Sequence, residues 1–313
     1  HRCLSDRYHP LRLSRRESGS CLDGHHRIHG RQRHDRPLAL SPAVTLPSPY
    51  RAVPKHCVLR NGLCTRTKNA VESVGVSDGF YRWFSERRLT AFGSARRERI
   101  EKSRLRLLET VSSPPGDMLE VGPGTGSLAA RAVSAGWRYQ AIEASPTLAT
   151  HLRAKDIDVT VAWAPPIPVN DASCDVVYAD QVLEHMSGID TAREFVKESL
   201  RALRPGGIYF IVVPDYLKER TFFWDVDYTH NFVTTERRVR QLLTDGGFEI
   251  ERVVRSIGVA TGLTRDLLAA GALLANLPGL DAISRHTGTE ELLFRIRKNL
   301  FETLTFVARK PVP

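Results

Sequence analysis

Apolar residues keep no steady rhythm along this chain up to about residue 76, and then settle into two alternating ones. Arg96 to Val111 places Ile100, Leu105, Leu107 and Leu108 on or near one face at helical spacing. This predicts an amphipathic helix, stopped by Pro114-Pro115-Gly116. Ahead of it, Phe80, Tyr81, Trp83 and Phe84 open an aromatic segment that also reads as helical. Short apolar runs follow, separated by helical stretches. Strands are expected at Asp117–Val121, Tyr139–Glu143, Val159–Ala162, Asp175–Ala179, Ile208–Val213, Phe248–Val254 and Leu304–Ala308. Helices are expected at Ser127–Ala135, Ser145–Ala154, Ala192–Ala202 and Thr235–Thr244, the second opened by a Ser-Pro start signal and the last stopped by Gly246-Gly247. From about Gly258 to Asn299 an apolar, mostly helical insertion precedes the final strand. Strands alternating with helices predict an α/β fold with a parallel, doubly wound sheet.

Composition changes this picture at one end only. The 313 residues carry a formal charge of +10, which invites a nucleic-acid partner until its location is counted. Residues 1–75 hold 14 Lys and Arg against 5 Asp and Glu, whereas residues 76–313 hold 31 against 30. The body shows no phosphate-binding stripe, so no nucleic-acid partner is expected. Residues 1–76 are rich in Arg, His, Ser and Pro, cannot offset their ordering entropy, and are expected to be a disordered basic segment. One domain is expected over 77–313. The only methionines are Met118 and Met186, so the basic segment reads as upstream sequence carried through a misplaced start or, less well, as a transit peptide. Cys3, Cys21, Cys57 and Cys64 lie in that segment and only Cys174 in the body. This suggests neither a disulfide framework nor a zinc site there, and a reducing, cytoplasmic setting is expected. No run reaches the ~18 apolar residues of a membrane span; the longest, Leu267 to Leu277, reads as a buried helix.

The chemistry concentrates at the exit of the first strand. The turn Glu120-Val121-Gly122-Pro123-Gly124-Thr125-Gly126 joins strand to helix, and so offers backbone N–H groups and a positive helix end to a ligand. Its glycines let the backbone come close to that ligand. Such a turn implies a nucleotide-like ligand without saying which. The spacing discriminates: the dinucleotide fingerprint puts its third glycine one position later, where Ser127 stands here. Glu143, at the end of the second strand, can accept two hydrogen bonds from a ribose diol.

The run MLEVGPGTGSLA (Met118–Ala129) is followed by AIEASP (Ala141–Pro146), DVVYADQVLEHM (Asp175–Met186), LRPGGIYFIVVPD (Leu203–Asp215) and DYTHNFVTTERRVRQLLTDGGFEI (Asp227–Ile250). In that order the five blocks resemble the class I S-adenosylmethionine (SAM)-dependent methyltransferases, in particular the small-molecule branch that includes quinone-type O-methyltransferases. The resemblance covers about residues 78–313. It implies a Rossmann-like, doubly wound, seven-stranded sheet with an antiparallel last strand, the helical insertion standing before that strand. It also implies that Glu120, Gly122, Pro123, Gly124 and Gly126 cradle the methionine end of SAM, that Glu143 holds the ribose, and that Asp180 and Gln181 line the methyl-donor side. Two departures matter. The family's adenine-binding acid after the third strand is replaced by Ala162-Trp163-Ala164, so Trp163 either stacks on adenine or packs in the core. Some quinone methyltransferases bind a divalent cation at Glu-x-x-Glu-His after the fourth strand. Here Gln181 stands for the first of those acids, before Glu184-His185, so no metal is expected.

A hydroxyl acceptor needs a general base near neutral pH, and His is the first candidate. His230 and His185 are the candidates, each alternatively a structural histidine; His151 and His286 are read as structural. The insertion serves either as a lid over an apolar small-molecule acceptor or as a thicker shell or homodimer contact. The function expected is SAM-dependent methyl transfer to a small molecule, on oxygen. A catalytically silent SAM-fold scaffold and, further off, a nicotinamide-dependent oxidoreductase are the alternatives.

Overall fold

The computed structural model describes Gly79 and residues 90–313. The expectations for segment 1–76, its cysteines and the aromatic run Phe80–Phe84 lie outside the described residues. Helix α1 (Ala91–Glu109) leads into β1 (Asp117–Val121), α2 (Ala129–Ala135), β2 (Arg138–Glu143), α3 (Pro146–Arg153), β3 (Val159–Val161) and β4 (Cys174–Asp180). A 3-10 turn (Leu183–His185) precedes α4 (Ile189–Ala202) and β5 (Leu203–Pro214). Two short helices, α5 (Tyr216–Glu219) and α6 (Phe222–Asp225), lead to α7 (Glu236–Asp245) and β6 (Glu249–Ile257). The insertion folds as α8 (Gly262–Ala275), α9 (Leu280–Thr287) and α10 (Glu290–Asn299) before β7 (Glu302–Arg309).

The seven strands form one sheet in the order β3-β2-β1-β4-β5-β7-β6. The pairs β2–β3, β1–β2, β1–β4 and β4–β5 are parallel, and β7 runs antiparallel to both β5 and β6. The winding direction reverses between β1 and β4, so a crevice opens beyond their carboxyl ends, where open α/β sheets take their ligands. Helices cover both faces, which is why the strands read as nearly continuous apolar runs. Leu119, Val121, Val177 and Ile211 pack on one face with Phe195 of α4 and Leu243 of α7. Met118, Val176 and Phe210 pack on the other with Leu108 of α1, Ala132 of α2 and Leu152 of α3. The same period of two places Glu120 on the face of Met118. The motif's carboxylate therefore points into the layer beneath α1, 4% exposed.

Several boundaries shift from the sequence expectation, and three differences have a readable cause. Helix α1 begins at Ala91 instead of Arg96, because the Thr90 side chain accepts from Gly93 N at 3.1 Å and caps an earlier turn. Strand β5, expected from Ile208, already begins at Leu203 and takes in Arg204 to Gly207, and a register shift between Cys174 and Val176 absorbs them. The third concerns the run Leu267–Leu277, expected as a buried helix. No residue of α8 is buried, and Leu263 and Leu267 are 75% and 67% exposed. The run is apolar on every side, so its composition could not say which side the fold would cover. No single helix among the described residues is long and apolar enough to cross a membrane; α8 and α9 reach that length only as a pair bent by 67°.

Candidate functional site

The glycine turn crosses the crevice in a conformation its sequence was chosen for. Gly122, Gly124 and Gly126 have φ of +71°, +54° and +76°, in the left-handed region open to glycine at little cost. Gly122 N donates to Ile142 O at 2.9 Å, which ties the turn to the end of β2. A Cβ on Gly126 would lie 2.5 Å from Leu152 Cδ2, whereas one on Gly124 would meet none of the described residues within 4 Å. Gly126 thus serves packing against α3, while Gly124 faces open space. Pro123, between Gly122 and Gly124, is buried.

Glu143 ends β2 beside this turn. Its Oε2 accepts from Gly124 N at 3.2 Å and its Oε1 from Ser145 N at 2.9 Å. Burial pushes its carboxyl above the usual carboxylate range, against the pull of those N–H donors. Ala162 N donates to Glu143 O at 3.1 Å, which brings the segment after β3 alongside. There Trp163 is 42% exposed and is not part of the core.

Helix α1 closes the turn from above with a charged stripe. Arg97, Glu101 and Arg104 share a face with Leu105 and Leu108, which are buried. Arg97 Nη1 donates to Thr125 Oγ1 at 2.9 Å, and Ser127 Oγ donates to Glu101 Oε1 at 2.9 Å. Arg104 pairs with Asp180 Oδ2 and leaves Asp180 Oδ1 buried without a partner among the described residues. Glu120 accepts a hydrogen bond from the Tyr139 hydroxyl. Burial pushes Glu120 up to about 8, with neighbouring Glu101, Asp180 and Glu143 adding to the shift. Gln181, past β4, is exposed at φ +55° and donates its N–H to Val212 O at 2.8 Å.

On the other side of β4 the fold brings the two candidate histidines together. Asn231 N and Phe232 N both donate to Glu184 O, at 2.8 and 2.9 Å, and so clamp the loop after α6 onto the 3-10 turn. The His185 and His230 rings lie edge to face, 4.9 Å between centroids. Thr229 Oγ1 gives its proton to Asp227 Oδ1 at 2.6 Å, so it accepts from His185 Nδ1 at 2.7 Å. His230 Nδ1 donates to the Phe223 carbonyl at 2.6 Å. Each neutral ring therefore carries its hydrogen on Nδ1 and leaves Nε2 as the basic nitrogen. Burial lowers both, His185 to about 4, with His230 contributing. Tyr228, on the same loop as His230, is 68% exposed.

Sequence reasoning missed the α1 stripe and the Asp227–Thr229 support. A signal for the first existed: Arg97, Glu101, Arg104, Leu105 and Leu108 follow helical spacing, so the charges continue an apolar face. The second had none, because Thr229 meets His185 only through the tertiary clamp. A cleft of about 330 Å³ lies between α6 and the insertion, lined by Asp225, Asp281, Arg285, Glu290, Phe294 and Arg297. It shares no residue with the glycine turn, and its walls are largely charged.

Residues 119–211 match the family described as Methyltransferase domain. A protein of Mycolicibacterium smegmatis assigned as an S-adenosylmethionine-dependent methyltransferase is 34% identical over 141 residues, 43% of this chain and 52% of that one. A malonyl-[acyl-carrier protein] O-methyltransferase of Methylococcus capsulatus is 29% identical over 213 residues, 62% of this chain and 76% of that one. The match thus spans about half the length of the first relative and about three quarters of the second. Among solved structures, Haemonchus contortus phosphoethanolamine N-methyltransferase 2 superposes with a TM-score of 0.50 at 19% identity, covering 76% of this chain and 61% of that one. A protein of Galdieria sulphuraria provisionally assigned as a sarcosine dimethylglycine methyltransferase superposes with a TM-score of 0.51 at 16% identity, over 75% of this chain and 98% of that one. These structural likenesses concern the fold alone. Strand order, glycine turn and sequence relatives agree on a SAM-dependent methyltransferase domain around the matched residues 119–211.

Proposed function

We propose that the protein transfers the methyl group of SAM to an oxygen atom of a small-molecule acceptor. In this reading Gly122, Gly124 and Glu143 hold the donor, with the ribose diol displacing the bond between Glu143 and Gly124 N. Trp163, half-exposed beside Glu143, is placed to stack on the adenine. Asp180, with one buried oxygen free, faces the methionine end together with Glu120. The sulfonium makes the methyl carbon electrophilic by itself, so the protein has to align the acceptor and exclude water.

The observation that carries the reading is the pair of neutral imidazoles beyond β4, each with Nδ1 engaged and Nε2 in no hydrogen bond among the described residues. A hydroxyl acceptor there can lose its proton to His230, the better base of the two, since His185 is lowered to about 4. His185, held by Thr229 and Asp227, orients. The Methylococcus relative, named for O-methylation, supports an oxygen acceptor. Calorimetry with SAM, followed by transfer of labelled methyl into fractionated small molecules, tests the proposal. His230→Gln is expected to lower kcat about 10²- to 10⁴-fold with SAM affinity unchanged. Tight SAM binding with no labelled product in any fraction would favour the silent scaffold.

A further inference from the structure

The imidazole pair of the methyl-transfer reading has a third neighbour, Glu184, that this reading does not use. Glu184, between His185 and the end of β4, is fully buried, and neither of its carboxylate oxygens has a hydrogen-bond partner among the described residues. Such a group is costly to bury unless something binds it. One donor atom from each of Glu184, His185 and His230 lies within 4.8 Å of the other two. Both rings spend Nδ1 on a protein acceptor, Thr229 Oγ1 and Phe223 O, so Nε2 is the nitrogen left to bind. That is how protein scaffolds orient metal-ligating histidines: the second nitrogen is fixed by a hydrogen bond, here backed by Asp227 behind Thr229.

We propose that Glu184, His185 and His230 form a binding site for a divalent transition-metal cation, zinc foremost. Two imidazole nitrogens and one carboxylate oxygen match the three-ligand zinc sites that keep a fourth position open, and disfavour magnesium, which prefers oxygen and water. The set is not the Glu-x-x-Glu-His arrangement, since Gln181 is exposed and stands outside it. The third donor is His230, delivered by the loop after α6. Tetrahedral ligands about 2.0–2.1 Å from zinc stand about 3.3 Å apart. The cluster therefore has to contract on loading, which the turn and loop can do by side-chain rotation. With His230 Nε2 bound, the cation would replace that nitrogen in activating the acceptor: its open position would bind the hydroxyl and lower its pKa, so that solvent water takes the proton. The inference deepens the proposed function at the same site, but it is read by metal content and not by turnover.

The test uses the full chain, stripped with a chelator and re-equilibrated with Zn²⁺ or Co²⁺. Wild type is expected to hold about one zinc more per chain than Glu184→Gln or His230→Gln, by mass spectrometry of the metal. The Co²⁺ form is expected to show visible ligand-field bands without a thiolate charge-transfer band, which separates this site from the cysteines of residues 1–76. Thr229→Val, which keeps all three ligands, is expected to weaken zinc about 10- to 100-fold. SAM calorimetry on each variant checks folding. Should the ligand variants fail to bind SAM, the wild-type cobalt spectrum and the Thr229→Val affinity decide. Equal zinc in wild type and in ligand variants that bind SAM, or a wild-type Co²⁺ form without ligand-field bands, overturns the proposal. Absence of methyl transfer alongside stoichiometric zinc would overturn the proposed activity and leave the metal site standing.

Discussion

Single carboxylates set the chemistry of the donor side. Glu120 is buried beneath α1 and pushed up to about 8, so it is largely protonated at neutral pH. SAM brings a sulfonium and an ammonium, which favour the ionised carboxylate. Binding near pH 7 is therefore expected to release protons, and SAM affinity to rise with pH until about 8 and then level. Calorimetry in buffers of different ionisation enthalpy measures this, and no net proton exchange would remove Glu120 from the cofactor pocket. Glu143 acts through hydrogen bonds. Two charge-assisted bonds to a ribose, each about 1.5–3 kcal/mol, predict a loss of SAM affinity of about 100-fold or more in Glu143→Ala. A Glu143→Ala chain that binds SAM as wild type does would refute the ribose role. Both carboxylates were legible as residues, one before the glycines and one closing the second strand. That Glu120 is a protonated acid under a Tyr139 hydroxyl was not, because its partner comes from a neighbouring strand.

The glycine turn and α1 behave as elements. Gly124 and Gly126 both sit at positive φ, but only Gly126 would drive a Cβ into a neighbour, at 2.5 Å from Leu152 Cδ2. Gly126→Ala is expected to destabilise the fold by about 1–3 kcal/mol or more, seen as a lower denaturant midpoint. Gly124→Ala meets only open space, so its stability cost is expected to stay near 1 kcal/mol while SAM binding is largely lost. The reverse ranking in paired unfolding and calorimetry measurements would mean that the open space beside Gly124 is not where SAM sits. The motif shows three glycines and cannot say which serves the ligand and which the packing; that depends on where α3 runs. Helix α1 teaches the same lesson. Its apolar face was evident from periodicity, and its start at Ala91 followed from a Thr90 cap that an apolar pattern does not weigh. Its function as a cover appears only when Arg97, Glu101 and Arg104 are seen against Thr125, Ser127 and Asp180.

At the scale of the whole molecule, stability follows the buried acids. Glu120 and Glu219 are both raised to about 8, chiefly by burial, and Glu184 is raised well above its ordinary range. In the unfolded chain these groups ionise near 4.5, while in the folded chain they keep their protons. Between those limits the unfolded state gives up protons that the native state retains, so stability falls as pH rises from about 4.5 to 8. The slope is about 1.4 kcal/mol per pH unit for each such group. Asp117 has the opposite sign, since the Arg138 side chain lowers it and its contribution is lost only as pH falls through the acid range; the lowered His185 and His230 also oppose the trend up to about pH 6.5, where the three raised acids outweigh them. Urea midpoints from pH 5 to 8 are expected to decline, and Glu219→Gln to flatten the decline and exceed wild type at pH 8. A flat wild-type profile would contradict this account.

What the chain itself determined is everything local or periodic. Strands alternate with helices because apolar residues recur at period two or at helical spacing. The donor turn is written in adjacent residues, since one peptide segment supplies all its N–H groups. Tertiary structure decided what depends on residues far apart in sequence: which face Glu120 occupies, that the leucines of α8 lie outside, and that His185, Glu184 and His230 meet. Those outcomes hang on pairwise contacts between segments, the clamp of Asn231 and Phe232 on Glu184 O above all. Distance along a chain carries no trace of such contacts until the sheet has formed and brought the segments together.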